Sequence, residues 1–136
     1  MQDEIELKLQ ASPSVLRDVL GSEFVREISS GTAVNRRLVS TYFDTPHHTL
    51  RKSGVALRIR RHPDGFEQTV KAPAPGAAGL QTYMELNSRV QGNVPVISGI
   101  ADRGIRSMLT LGGRHKRLQP QFVTDVERYE QPVRFN

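Results

Sequence analysis

Residues 4–9, Glu-Ile-Glu-Leu-Lys-Leu, alternate charged and apolar side chains with period two, which predicts a half-buried strand. Ser12-Pro13 can open a helix and Gly21 can close it, with Val15, Leu16, Val19 and Leu20 as the apolar face. Residues 36–43 are β-rich and stop at the turn signal Asp44-Thr45-Pro46. A second alternating run spans residues 50–61. His62-Pro63-Asp64-Gly65 predicts a hairpin turn, and residues 66–71 return as a third strand. Residues 72–79, rich in Pro and Gly, read as a loop, and residues 81–90 as another strand. Residues 97–111 carry apolar positions at helical spacing and predict a helix that Gly112-Gly113 ends. A last strand is expected over residues 122–134. A meander of strands with two helices is an α+β arrangement in one domain.

Period-two geometry sorts the polar side chains onto shared faces. Glu4, Glu6 and Lys8 lie on one face of their strand. Arg58 and Arg60 project together, with Leu57 and Ile59 opposite. Thr69 pairs with Lys71, Tyr83 with Glu85, and Thr124 and Val126 with Arg128. Any one of these looks like the solvated side of an antiparallel sheet. Taken together, several strands present like charges at spacing two, whereas an ordinary solvent face mixes them. Two carboxylates two apart suit a hard cation with oxygen ligands. Converging Arg and Lys suit a chain of phosphates.

Composition narrows the partners. The chain has 136 residues, 19 Lys and Arg against 14 Asp and Glu, and a net charge of +5. That excess suits an anion, be it nucleic acid, an acidic membrane surface or a small polyphosphate. The absence of cysteine excludes disulfides, thiolate nucleophiles and Cys-based zinc sites. No apolar run approaches the ~20 residues of a membrane span, and the first residues do not read as a signal peptide, so a cytoplasmic protein is expected. His47-His48 has no third ligand near it in sequence and reads as an exposed turn. Arg114-His115-Lys116-Arg117 reads as a solvated loop, because few aromatics interleave with it. Tyr42 and Phe43 read as core. There is no G-x-x-x-x-G-K-[ST], G-x-S-x-G or H-E-x-x-H motif.

Five segments, in order, carry a resemblance. Glu4-Ile5-Glu6-Leu7-Lys8 resembles the E-x-E-x-K signature of the CYTH superfamily, the triphosphate tunnel metalloenzymes. Tyr42-Phe43-Asp44-Thr45 resembles its Y-[FY]-D-T segment, Leu57-Arg58-Ile59-Arg60 its L-R-[IV]-R strand, Thr69-Val70-Lys71 its T-[VL]-K strand, and Thr124-Asp125-Val126-Glu127-Arg128 its T-D-x-x-R strand. The resemblance implies an antiparallel β-barrel with a charged lumen. It implies that Glu4 and Glu6 hold Mg²⁺ or Mn²⁺, that Lys8, Arg58, Arg60, Lys71 and Arg128 bind phosphate oxygens, and that Glu85 is a lumen carboxylate, with Glu4, Glu6, Lys8 and Glu85 forming the catalytic set.

Family members run on for roughly another half domain that supplies further strands and a second acidic pair. This chain is therefore expected to form a half-barrel, 1–136, truncated at its C-terminal side, with an open strand edge over residues 122–134 through which it self-associates as a homodimer. Inorganic triphosphate hydrolysis is the implied activity. Thiamine triphosphate hydrolysis, cyclic AMP synthesis and non-catalytic polyphosphate binding are the alternatives. Neither a membrane nor nucleic acid is expected as a partner.

Overall fold

The computed structural model describes residues 7–74 and 82–135. They fall into two compact units. The smaller takes in the chain up to Asn35 and again from Tyr129, and the larger spans Arg36–Arg128.

In the smaller unit, α1 (Pro13–Leu20) is capped by the Ser12 hydroxyl, which accepts from the Val15 amide, and Pro13 opens its first turn as expected. A second helix, α2 (Glu23–Ile28), follows at once with Ser22 as its cap. It was not foreseen, because its six residues are too short for helical periodicity to stand out. Backbone hydrogen bonds from Ser30 to Pro132 and from Arg134 to Ile28, with a Phe24–Phe135 ring contact at 6.3 Å, tie the two chain segments of this unit together. The half-buried strand expected over residues 4–9 does not extend over Leu7–Leu9. These residues are irregular, and Leu7 and Leu9 are each 82% exposed. The positions before Leu7 lie outside the described residues.

The larger unit is built on an open five-stranded sheet in the order β4-β3-β2-β1-β7. Its strands are β1 (Val34–Asp44), β2 (Ala56–His62), β3 (Gly65–Ala74), β4 (Thr82–Val90) and β7 (Gln119–Glu130). A separate two-stranded hairpin joins β5 (Thr110–Leu111) to β6 (Arg114–His115). The α+β class and the unclosed antiparallel sheet agree with the sequence reading.

Several boundaries differ from it. Leu50 does not begin a strand. It lies in a short helix, α3 (Thr49–Lys52), and the strand starts only at Ala56. Asp44 explains the helix: its buried carboxylate accepts from the amides of Thr45, Leu50 and Arg51 at 2.7–3.0 Å. The helix closes with Gly54 at φ +70°, while the Val55 amide reaches back to the Leu50 carbonyl and the Gly54 amide to that of Arg51. This Schellman arrangement brings Leu50 and Val55 together into the core.

β3 continues through Pro73 to Ala74, where a loop was expected, because Ala72–Ala74 keep their pairing with β4. The single helix expected over residues 97–111 is instead a 3-10 turn (Ile97–Gly99) and the six-residue α4 (Arg103–Met108), the glycines weakening the interval between them. Gly112-Gly113, both at positive φ, form the two-residue turn between β5 and β6. β7 starts three residues earlier than expected, at Gln119, and ends at Glu130.

One sheet face is apolar. Phe43 pairs with Leu57, Leu57 with Val70, and Val70 with Leu86 across four strands. Ile97, Ile100, Ile105 and Leu109 join Leu57, Ile59 and Val70 in the buried cluster. Burying each such side chain contributes about 1.5–3 kcal/mol. Gln68 sits within this face and is 1% exposed. Its amide accepts from the Val96 amide at 2.8 Å and donates to the Val96 carbonyl at 3.1 Å, which fastens the covering segment to β3. Among the described residues, no helix is long and apolar enough to cross a membrane.

Asp44→Ala should leave the Thr45 amide and two amides at the head of α3 without their acceptor and lower stability by at least about 1–3 kcal/mol, whereas Asp44→Asn, which keeps one acceptor oxygen, should lose less. Urea unfolding followed by circular dichroism measures both, and equal midpoints for Asp44→Ala and wild type would contradict this role.

Candidate functional site

The face opposite the core is built by register. Ser40, Arg60 and Glu67 form one cross-strand row that ends at Arg89. Tyr42, Arg58, Thr69 and Asn87 form the next, and Ala56, Lys71 and Glu85 the third. The expected pairs Arg58/Arg60, Thr69/Lys71 and Tyr83/Glu85 therefore meet on one surface, with Leu57 and Ile59 turned to the core.

Each cation is held differently. The Arg60 Nε donates to the buried Ser40 hydroxyl at 3.0 Å. Burial, and then the neighbouring charges of Arg58 and Arg128, pull the Arg60 guanidinium below its ordinary value. That coupling brings Arg128, on β7, electrostatically into the cluster. The Arg58 side chain is only 23% exposed and has Glu85 as its ion-pair partner at 3.7 Å. Its Nε is buried and has no hydrogen-bond partner among the described residues. The Lys71 ammonium lies 4.9 Å from the centroid of the Tyr83 ring. Thr69 donates to the Asn87 side-chain oxygen at 2.7 Å, which orients both.

A buried donor on a charged group that lacks an acceptor is expensive, and so is a second guanidinium beside it. An oxyanion relieves both costs. Arg presents a planar fork matched to phosphoryl oxygens, and Lys a compact charge, so this surface is suited to several phosphoryl groups in series.

Glu85 is 47% exposed, and its oxygens accept no hydrogen bond among the described residues. Its lone pairs are open to a hard cation, which is the donor chemistry a Mg²⁺ or Mn²⁺ site requires. Among the described residues no three acidic or imidazole groups converge on one point. Glu4 and Glu6 lie outside the described residues. Lys8 lies in the smaller unit, exposed on irregular backbone.

The sequence reading missed two features of this face. Tyr42 is not a core residue: it projects beside Arg58, half-buried, and its ring stacks on Phe122 with centroids 4.7 Å apart. Phe43, its neighbour, is core as expected. Ser40 was also overlooked. Its spacing of two from Tyr42 was a usable signal, but only the register with Arg60 shows what it serves.

A match to the CYTH domain runs over residues 2–135. The chain belongs to the CYTH family. It is 32% identical over 132 residues to an inorganic triphosphatase of Haemophilus influenzae, a match covering 94% of this chain and 35% of that protein. The chain thus spans about a third of its curated relative's length. Its fold is similar to the crystal structure of a "putative adenylate cyclase" from Bacillus halodurans, with a TM-score of 0.52, 15% identity, and coverage of 87% of this chain and 60% of that one. Within this CYTH chain, the family's Y-F-D-T and L-R-I-R segments are β1 and β2. The Asp of the first builds a helix cap, and the two Arg of the second line the charged face.

β7 neighbours β1 in the sheet, and an exposed two-pronged contact bridges the two strands. Arg37 donates through Nε and Nη2 to both oxygens of Asp125, at 2.8 and 2.5 Å. These bonds hold the Asp125 carboxyl below its usual range. A depressed folded-state pKa contributes stability above the unfolded value of about 3.9, and that contribution is lost as pH falls through the folded value. In a carbon-detected carboxyl titration, Asp125 should titrate below about 3.9 in wild type and move up toward it in Arg37→Ala. A midpoint indifferent to Arg37→Ala would contradict the assignment.

Proposed function

We propose that this chain forms the polyphosphate-binding face of a metal-dependent triphosphatase, with inorganic triphosphate as substrate. The observation that carries the reading is the buried Arg58 Nε, without a partner among the described residues, beside an Arg60 guanidinium disfavoured by burial and by its cationic neighbours. The curated relative is an inorganic triphosphatase, which supports hydrolysis of inorganic triphosphate over the alternatives within the family, namely thiamine triphosphate hydrolysis and cyclic AMP synthesis.

In this reading Arg58, Arg60, Lys71 and Arg128 hold the phosphoryl oxygens, with Lys8 as a further ligand, and spread the negative charge that builds on the leaving pyrophosphate. Ser40 fixes the Arg60 fork in advance. A water oxygen bonds to the terminal phosphorus as the bond to the bridging oxygen breaks. Glu85, beside this row, orients that water and accepts its proton. Glu4 and Glu6 would supply oxygen ligands to Mg²⁺ or Mn²⁺. Bound there, the cation adds Lewis-acid neutralisation of phosphoryl charge. We place the protein in the cytoplasm, not on a membrane or nucleic acid.

Arg58→Ala and Arg60→Ala should each weaken triphosphate binding by about 1.5–3 kcal/mol. Calorimetry tests this, and unchanged affinity in the double variant would reject the site. Glu6→Gln should flatten the Mg²⁺ or Mn²⁺ dependence of phosphate release while leaving metal-free triphosphate binding in place. Metal titration curves that superimpose on wild type would remove Glu6 from the metal site, and binding without turnover in wild type would make the chain a polyphosphate-binding module.

Among the described residues β7 is an edge strand of the sheet, with Val123, Val126 and Tyr129 exposed. An unpaired strand is a template for another chain, and like-charged faces approach only with a polyanion between them. The chain should therefore self-associate, more strongly with triphosphate and Mg²⁺. Sedimentation across a concentration series checks this, and a monomer throughout would contradict it.

A further inference from the structure

On the segment that covers the apolar face of the sheet lies a second basic cluster, which the proposed reaction does not use. A cavity of about 380 Å³ opens between the 3-10 turn, α4 and the β5–β6 hairpin. Arg103, Arg106 and His115 line it together with the hydroxyls of Ser98, Ser107 and Thr110, above the buried side chain of Ile97. No carboxylate lines it, and among the described residues none pairs with Arg103, Arg106 or His115. The nearest acid in sequence, Asp102, is committed to capping α4 through the Ile105 amide at 2.8 Å.

Two members of the cluster are held in place. The Arg106 Nη1 donates to the carbonyls of Ile100 and Ala101, which fixes the guanidinium while leaving its other N–H groups available. Thr110 donates to the Arg106 carbonyl at 2.9 Å, so its oxygen lone pairs face the cavity's chemistry as acceptors only. The Ser98 and Ser107 hydroxyls and the Arg103 guanidinium have no hydrogen-bond partner among the described residues. Helical spacing puts Arg103, Arg106 and Ser107 on one face of α4. Arg114 in the hairpin and Lys116 and Arg117 just after it add to the positive charge of this part of the chain without lining the cavity.

We propose that this cavity is a second anion site, which takes a small phosphoryl oxyanion on the side of the sheet away from Arg58 and Arg60. A concave site with convergent guanidinium and hydroxyl donors fits a compact, multiply charged ligand of this class. A polynucleotide would instead need an extended track with stacking rings, and no Phe, Tyr or Trp lines the cavity.

Inorganic pyrophosphate, titrated into the ¹⁵N-labelled chain and followed by amide shifts, tests the proposal. The expected result is saturable shifts of residues 103–110 and 115 that are retained in Arg58→Ala/Arg60→Ala and weakened about tenfold or more by Arg103→Glu. Ser107→Ala, a mild change on an exposed position, should weaken the same isotherm and spare the sheet-face amides. Wild type alone decides the matter if a variant misfolds, because the two sets of amides report the two sites separately. Absence of saturable shifts at 103–110 and 115 would overturn the proposal. So would shifts there that survive both Arg103→Glu and Ser107→Ala, or a response to oligonucleotide with none to pyrophosphate.

Discussion

Successive side chains of a strand point to opposite faces, and in the larger unit one of those faces is apolar and packed under a covering segment while the other is polar. Leu57 and Ile59 go under the segment that runs from Val96 to Leu109, and the arginines between and after them are left on the other side. Gln68 makes that arrangement specific. It is a polar side chain in an apolar layer, and its two hydrogen bonds to Val96 are satisfied only if the covering segment sits in one place. A slip of one residue in β2 would bury Arg58 and Arg60 and expose the core, so the packing of one face enforces the composition of the other.

The charged face then has an energetic character of its own. Its cations are not dispersed in solvent as on an ordinary sheet surface. Arg60 is partly buried and next to Arg58, and Arg58 has a buried Nε with no acceptor among the described residues. The fold tolerates these costs because the apolar layer beneath is continuous across four strands. Exposed pairs elsewhere, such as Arg89 with Asp64, are screened by water and contribute little by comparison. The strain concentrated on the charged face is the kind that a bound oxyanion relieves, which ties the family's motif residues to a physical role.

The motifs themselves divide by function once the contacts are known. Asp44 of the Y-F-D-T segment is structural, spending its carboxylate on three backbone amides. Asp125 of the T-D-x-x-R segment bridges β7 and β1 through Arg37, while Arg128 three residues later adds its charge to the Arg60 site. Residues adjacent in a motif therefore serve opposite faces.

Much of this was legible in the sequence, because period two is a local property. The pairing of Arg58 with Arg60, of Thr69 with Lys71 and of Tyr83 with Glu85 needs only the alternation of a strand, and the turn at His62–Gly65 needs only its own residues. The order of the motifs likewise pointed to the CYTH family without any contact being known. What sequence could not supply depends on partners distant along the chain. Ser40 acquires its role from Arg60 twenty residues on, and Tyr42, turned away from the core that Phe43 enters, meets the ring of Phe122. α3 exists because Asp44 reaches its amides, and the expected 97–111 helix breaks in two to follow the sheet it covers. Alternation tells which side chains share a face. Only register and packing tell which of the two faces is buried against what, and which charges are thereby held close enough to matter.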